Sequence, residues 1–559
     1  MINEQSQTGH GPTVERAGPL TRPVISGSGI LIGSVFFAAS LTPSLVPRDT
    51  LVQGLLGGAV FAVGYGLVIA ALALWRWLEL PEPPRRLTRP WTVATAVIGL
   101  GIAGLALSRA DEWQNAVRAV MAMAPVESAH RMQVLAIATA CAALVFTIAW
   151  IVRRFVRWLE RGLNRVVPPR VAFIAGLGIA FAVFGGLVDG VLVRSVYDTL
   201  DASYARLNQM MESDRGRPTE PWRTGSEASL VSWASLGRAG RAFVDEVPTR
   251  AEISEFWSAS AEQPLRVYVG LSAAGDAEAR ANLALAELQR VGAFERSVLV
   301  VAVPTGTGFM DNAAIATLEY LHRGHVATVA QQYSYLQSPF SLVFQPDYNF
   351  ETARELLSVV YDHWTELADD ARPKLVLHGL SLGTLGSERS VRLDKVVGDP
   401  FDGALWVGPP FLSPIHSGAT AYRVPGSPEW LPRFEDGSFI RFMNQYSLTH
   451  ADADWGPMRI LYLQHASDPI VFFDASLFWQ RPDWLRAPRA PDVADAMRWF
   501  PIVTGLQVAA DMALSNAADV PYGYGHKYAA SQYLDAWVEV TDPDVSAREV
   551  ARLKAHFAD

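Results

Sequence analysis

The sequence predicts an N-terminal α-helical transmembrane bundle of about five spans, followed by an α/β domain whose mostly parallel sheet carries helices on both faces. Three observations point there. Half of the 559 residues are hydrophobic, and the excess lies in the first 195 positions, in runs about long enough to cross a bilayer core as helices. From Leu265 onward, short Val-rich runs alternate with amphipathic patterns, as strands buried on both faces and their covering helices do. One such run, Lys374–His378, leads straight into Gly379-Leu380-Ser381-Leu382-Gly383, a strand, a sharp turn carrying a serine, and a helix start.

A chain of this length holds two or more domains. Net charge is −9 and no long Lys/Arg run occurs outside the membrane loops, which argues against a nucleic-acid partner. The single cysteine, Cys141, sits in an apolar run, so no disulfide within the chain and no Cys-based zinc site is possible. No metal or other cofactor is implied.

Residues 1–22 are polar with few large apolar side chains and read as a disordered cytoplasmic tail. The transmembrane domain, 23–195, has its apolar runs near Ile25–Leu45, Leu51–Trp75, Trp91–Ser108, Met132–Val152 and Val171–Val193. The first run has an alternative reading as a signal peptide, because Phe37-Ala38-Ala39-Ser40 resembles a cleavage site; Pro43, Pro47 and four further runs favour an integral bundle. With five spans, twelve arginines fall in the tail and the loops on its side, against four on the other side. The tail is therefore expected in the cytoplasm and everything after Val193 outside it, an integral protein of the cell membrane. Gly54/Gly58 and Gly186/Gly190 are small-residue pairs that suit close helix packing. Asp189, near the outer end of the last run, is an intramembrane carboxylate with either a functional role or simple hydration at the interface.

Residues 196–263 form a connector, with loops marked by Asp214-Arg-Gly-Arg-Pro218 and Thr224-Gly-Ser226 and an amphipathic helix expected at Tyr197–Met211. The α/β domain, 264–559, has strands expected at Arg266–Gly270, Ser297–Val303, His325–Gln331, Lys374–His378, Gly403–Val407 and Arg459–Gln464. Helical patterns fall at Ala277–Val291, Asn312–His322, Thr352–Leu367 and Gly383–Arg392.

The chemistry centres on Ser381. A turn between strand and helix would hold its Oγ above the sheet, with the Leu382 N–H at a helix start ready for a developing oxyanion. A serine nucleophile of this layout is followed in chain order by Asp or Glu, then His. Asp468 lies on the loop beyond the strand ending at Gln464, and His526 lies in the Gly-rich loop Pro521-Tyr-Gly-Tyr-Gly525-His526. His526 would take the serine proton, and Asp468 would fix its tautomer. His465 is the alternative base, but it precedes the acid and breaks the order. The second oxyanion donor is expected from Pro304-Thr305-Gly306-Thr307-Gly308-Phe309, through the N–H of Gly306 or Thr307.

These residues resemble a bacterial membrane-anchored α/β-hydrolase family, long a domain of unknown function, with a membrane N-terminal domain and a hydrolase C-terminal domain. The resemblance is carried by Leu41-Thr-Pro-Ser-Leu-Val-Pro-Arg48, Arg266-Val-Tyr-Val-Gly-Leu271, Val303-Pro-Thr-Gly-Thr-Gly308, Gln332-Tyr-Ser-Tyr-Leu336, the Ser381 elbow and Tyr522-Gly-Tyr-Gly-His526. It implies a serine-hydrolase fold with Ser381, Asp468 and His526 as the triad, and little about substrate. Leu380 stands where relatives are expected to carry Glu. Two aromatic-rich insertions, 409–457 and 472–515, read as packing or as a lid. The expectation is a membrane-anchored esterase or lipase-like enzyme. It would act on lipid or lipid-linked envelope esters through an acyl-enzyme on Ser381, which water or an alcohol resolves. The competing expectation is a non-catalytic transport or envelope-assembly component that keeps the fold as a binding module. Nothing in the sequence fixes the oligomeric state.

Overall fold

Apolar runs that can satisfy their backbone only internally become helices, and between 27 and 187 the described residues are mostly helical. The computed structural model describes residues 26–81, 84–165, 167–187, 193–212, 215–516 and 519–558. The polar tail, Asp189 and Gly190 lie outside the described residues. Helix α1 (Gly27–Ser40) starts at Ser26, whose Oγ accepts the Gly29 N–H. It stops after 14 residues, because Pro43 removes an amide and biases Thr42 away from helix. Then come α2 (Thr50–Trp77), capped by Asp49, α3 (Arg85–Ser108), α4 (Ala110–Val120), α5 (Arg131–Leu163) and α6 (Pro169–Leu187). Three of these, α2, α3 and α5, are long and apolar enough to cross a membrane, not the five expected. The first expected span is cut short at Ser40; the last, expected over Val171–Val193, runs on into 188–192, outside the described residues, and its described apolar helix covers Ile174–Gly186.

The described residues form two units. In the smaller (26–41, 49–111 and 128–187), α1 packs on α2 and α3, α2 on α5, and α5 on α6. Glycines permit the close approach: a Cβ on Gly54 would stand 2.6 Å from Ile137 Cβ, and one on Gly58 2.3 Å from the Ala138 carbonyl oxygen. A Cβ on Gly186 would meet nothing within 4 Å among the described residues.

The larger unit takes residues 42–48, 112–127 and 193–558. It begins with α7 (Arg194–Gln209), α8 (Gly237–Asp245) and α9 (Arg250–Trp257). Alternation follows: β1 (Leu265–Val269), α10 (Ala277–Arg290), β2 (Val298–Val303), α11 (Asn312–Leu321), β3 (Val326–Gln331), α12 (Ser338–Phe344), α13 (Pro346–Glu366), β4 (Lys374–Leu380) and α14 (Leu382–Ser390). The chain continues through α15 (Leu393–Val396), β5 (Gly403–Val407), α16 (Pro414–Ala421), β6 (Ile440–Met443) and β7 (Arg459–Leu463). It ends with α17 (Pro469–Phe472), α18 (Val503–Leu514), α19 (Ala530–Thr541) and α20 (Ala547–His556).

All strand pairs are parallel, in the order β1-β3-β2-β4-β5-β7-β6. Helices α10, α13 and α14 pack together as one layer and α11, α19 and α20 as another. Val303 pairs with Gly379, and Leu380 with Val407, so β2, β4 and β5 end level at the serine. Strand β6 belongs to the 409–457 insertion and extends the sheet edge beyond β7. Phe442 of that strand and Trp484 of the second insertion are buried, so part of the aromatic excess is core; Phe439, Tyr446 and Trp479 remain exposed. No strand lies between β7 and His526 among the described residues; α18 occupies that stretch.

One ion pair anchors the β1 end of the sheet. The Arg266 Nε and Nη2 each lie 2.7 Å from a carboxylate oxygen of Glu319, both side chains being buried. Nη1 donates to the Phe243 carbonyl and to Asn312 Oδ1. Glu319→Ala would leave a guanidinium buried without its counter-charge, a loss of about 3–5 kcal/mol. A clear fall in the thermal midpoint of the purified chain is expected; an unchanged midpoint would show that the pair carries no such weight.

Candidate active site

Strand β4 delivers Ser381 in a backbone conformation that L residues rarely adopt, φ +57° and ψ −124°. The turn holds because its neighbours are glycines. A Cβ on Gly379 would stand 2.4 Å from the Gly383 carbonyl carbon, and one on Gly383 2.1 Å from the Val303 carbonyl oxygen of β2. The Ser381 N–H donates to the Val407 carbonyl at 2.9 Å. Thr384 Oγ1 sits 2.7 Å from the Gly379 carbonyl oxygen and accepts the Val407 N–H at 3.1 Å, tying the elbow to β5.

Asp468 caps α17, its Oδ1 accepting the Ile470 N–H at 2.9 Å. Its Oδ2 takes two donors, His526 Nδ1 at 2.6 Å and the Tyr528 hydroxyl at 2.7 Å. Asp468 is fully buried and His526 nearly so. The carboxylate fixes the proton on Nδ1 and leaves Nε2 without one; that buried nitrogen has no partner among the described residues. Gly408 (φ +52°) directly follows Val407, and a Cβ there would stand 2.5 Å from His526 Cε1. The imidazole thus rests on the residue next to the one that holds the Ser381 backbone. No hydrogen bond joins Ser381 Oγ to His526 among the described residues; contacts of this kind often tighten only with substrate bound.

The loop between β2 and α11 flanks the elbow, as the sequence predicts, but its two candidate donors differ. The Gly306 N–H is engaged by Ser338 Oγ at 3.2 Å. Those of Thr305 and Gly308 close the loop on itself, bonding to the carbonyls of Phe309 and Thr305. Thr307 keeps its N–H uncommitted while its carbonyl is held at 3.0 Å by Gln332 Nε2. Leu382 opens α14, so its N–H has no intrahelical acceptor. Among the described residues the N–H groups of Thr307 and Leu382 have no acceptor, whereas that of Gly306 has Ser338 Oγ.

His465, the alternative base, has both ring nitrogens occupied, by the Gly525 carbonyl at 2.9 Å and Gln532 Oε1 at 3.2 Å. Its ring stacks on Tyr528, and burial lowers its pKa. It braces the loop that carries His526. No group of three or more His, Cys, Asp or Glu side chains among the described residues is arranged to hold a metal ion.

A family model described as the alpha/beta-hydrolase family matches residues 265–553, and one for that family's N-terminus matches residues 41–248. The chain belongs to this alpha/beta-hydrolase family. No curated protein and no solved structure matches it significantly.

Several residues that support the hydrolase site escaped the sequence reading. Burial, then the charge of Asp468, push the Tyr528 hydroxyl well above its ordinary pKa, so it remains a donor to that carboxylate. Gln332, in the Gln332–Leu336 run, and Tyr268, whose hydroxyl donates to the Gly308 carbonyl at 2.8 Å, fix the oxyanion loop. Asn349 Nδ2 donates to the Leu382 carbonyl at 2.8 Å. Glu388, on the elbow helix, accepts from Ile415 N–H and the Tyr462 hydroxyl, and burial nevertheless pushes it up to about 7. Only the two-residue spacing from His526 to Tyr528 offered a local hint; the other partners are distant in sequence.

Gly408 gives a direct test of this geometry. A methyl at that position must displace the imidazole, and the positive φ adds strain. Gly408→Ala is expected to fold, as judged by its thermal melt, yet to lose most of its reactivity toward a fluorophosphonate. Wild-type reactivity would place the histidine elsewhere.

Proposed function

We propose that this chain is a membrane-anchored serine hydrolase that cleaves ester bonds of lipid or lipid-linked cell-envelope substrates. One observation carries the reading: a buried carboxylate orients His526 and leaves its Nε2 unpartnered beside the strand end that holds Ser381. In the first half-reaction Ser381 Oγ passes its proton to Nε2 and attacks the ester carbonyl carbon. The resulting oxyanion accepts hydrogen bonds from the N–H groups of Leu382 and Thr307. Asp468 stabilises the imidazolium without taking its proton. As the tetrahedral species collapses, His526 protonates the departing alcohol and an acyl-enzyme remains. Water, deprotonated by Nε2, then releases the acid and restores Ser381; an alcohol in place of water would make the same site an acyltransferase.

An apolar substrate fits the loops that carry these groups. Phe309 on the oxyanion loop, Leu412 after β5 and Tyr522 just before His526 all expose large side chains, as ligand sites for acyl chains do. Three helices able to cross a membrane support tethering beside such substrates.

Chain parity supports a fuller topology. Residues 42–48, 112–127 and 193–558 belong to one unit and so must share one side of a bilayer. Crossings by α2, α3 and α5 alone would leave the last segment opposite the first two. Crossing by α6 as well restores agreement, and α1 makes the fifth span. The α2–α3 and α5–α6 turns, with the helix ends that flank them, hold ten arginines, against four in or beside residues 42–48 and 112–127, which favours a cytoplasmic side for the former. The hydrolase unit then faces the envelope.

Two measurements test the proposal. Ser381→Ala and His526→Ala should each lower turnover of a short-chain aryl ester by at least about a thousandfold, and the double variant should be little worse than either, because the pair acts as one unit. Asp468→Asn should be milder yet still severe, and His465→Ala should retain activity if its fold survives; a dead His465→Ala beside an active His526→Ala would sink the assignment. Separately, a C-terminal phosphatase reporter active only outside the cytoplasm is expected, and a reporter active only inside would overturn the envelope substrate class.

A further inference from the structure

Between α1 and α2 the chain makes a short excursion, residues 42–48, that belongs to the hydrolase unit. Its contacts converge on α18. Arg48 Nε meets Asp511 Oδ1 at 2.6 Å with both side chains buried, and Leu45 N–H donates to Oδ2 at 3.0 Å. The Ser44 hydroxyl also donates to Asp511, and Gln507 Nε2 reaches back to the Thr42 carbonyl at 3.1 Å. Arg48 N–H is held in turn by Gln114 Oε1 at 3.3 Å.

What α18 does next matters. Its C-cap is Ser515, and the Ser515 carbonyl accepts the backbone N–H of His526 at 3.3 Å. Val46 packs with Val520 and Met121 in one apolar cluster, with Tyr524 against it. A Cβ on Gly525, the residue before His526, would meet Ser515 O at 3.3 Å and Val46 Cγ1 at 3.5 Å. Leu45 joins a second cluster with Ala466, Val471 and Phe472, which bracket Asp468 in sequence. The excursion therefore backs both loops whose side chains meet in the Asp468–His526 hydrogen bond.

We propose that Leu45, Val46 and Arg48 are positioning residues for His526. By clamping α18 and filling the space behind Gly525, they set the height at which Nδ1 reaches Asp468 and keep Nε2 available to Ser381. The proposal rests on the triad reading above and adds to it that the histidine is positioned by a connector between two membrane-bundle helices, far from it in sequence.

The test uses the full-length chain in detergent, comparing wild type with Val46→Ala, Arg48→Lys, Arg48→Met and Ser381→Ala. Three readouts are taken: the rate of fluorophosphonate labelling, kcat and KM for a short-chain aryl ester, and hydrogen–deuterium exchange of peptides containing His526. Arg48→Met should label and turn over about ten- to a hundredfold more slowly, the scale of a small misplacement in a catalytic constellation, with KM within about twofold. Arg48→Lys should recover part of the loss, since it keeps the charge but not the planar fork. Val46→Ala should slow labelling a few-fold. Exchange should rise in the His526 peptides and not in those from β1 to β4. Labelling at the wild-type rate in both Arg48→Met and Val46→Ala overturns the proposal, as does exchange that rises equally across the sheet. Should Arg48→Met not fold, Val46→Ala, which leaves the ion pair intact, decides on the same readouts. Labelling that persists in Ser381→Ala overturns the triad reading instead, so the two failures are distinguishable.

Discussion

The structure of the hydrolase unit depends on the backbone of one residue. Ser381 sits at positive φ, a conformation costly for a residue with a Cβ, and it is maintained by what surrounds it. Gly379 and Gly383 let β4 fold back onto its own helix and let that helix touch the end of β2. Val407 of β5 takes the Ser381 N–H, and Thr384 locks the same strand end from the other side. Strands β2 and β5 flank β4, and each leads into a loop at the serine: the 304–309 loop after β2, and Gly408 under the histidine after β5. A parallel sheet makes this possible, because parallel strands bring all their C-terminal ends to one edge.

The second arm of the site is an exercise in burying charge safely. A lone carboxylate at the position of Asp468 would be strongly penalised. Here it accepts from Ile470 N–H, His526 Nδ1 and the Tyr528 hydroxyl. Nearby, His465 holds the Gly525 carbonyl while Ser467 Oγ accepts the Gly525 N–H. The residue before His526 is thus fixed on both faces of its peptide unit. Nε2 of His526, the atom that chemistry would need, has no partner among the described residues.

How much of this the sequence revealed depends on the range of the interaction. Strands β1 to β5 and β7 were legible to within two residues, because each is a run of Val, Leu or Ala bounded by charge, Gly or Pro. Strand β6 was not, since Ile440–Met443 is too short for a period to register. Chain order singled out Ser381, Asp468 and His526, and the last two share a hydrogen bond. The choice between Gly306 and Thr307 turned on Ser338, which no local pattern connects to the loop. Arg48 shows the same limit: in sequence it is a loop charge to be counted for orientation, whereas in the structure its side chain is buried against a helix far along the chain. The first expected span ends at Ser40 for a local reason that the sequence did contain, the proline at 43.

That distant partnership bears on how the protein comes into being. Arg48 and Asp511 are separated by 463 positions, so at ordinary synthesis rates of about 5–20 residues per second the first waits roughly 20 to 90 s for the second. During that interval the early helices can enter the bilayer and the sheet can form from β1 onward, while Leu45 and Val46 have no partner in α18. The loop carrying His526 is made later still, and besides Ser467 and Ser515 it rests on Val46, laid down at the start. Completion of the nascent chain, rather than completion of the sheet, is therefore the event that sets His526 in place, and on the proposed triad an unfinished chain would carry Ser381 without its base.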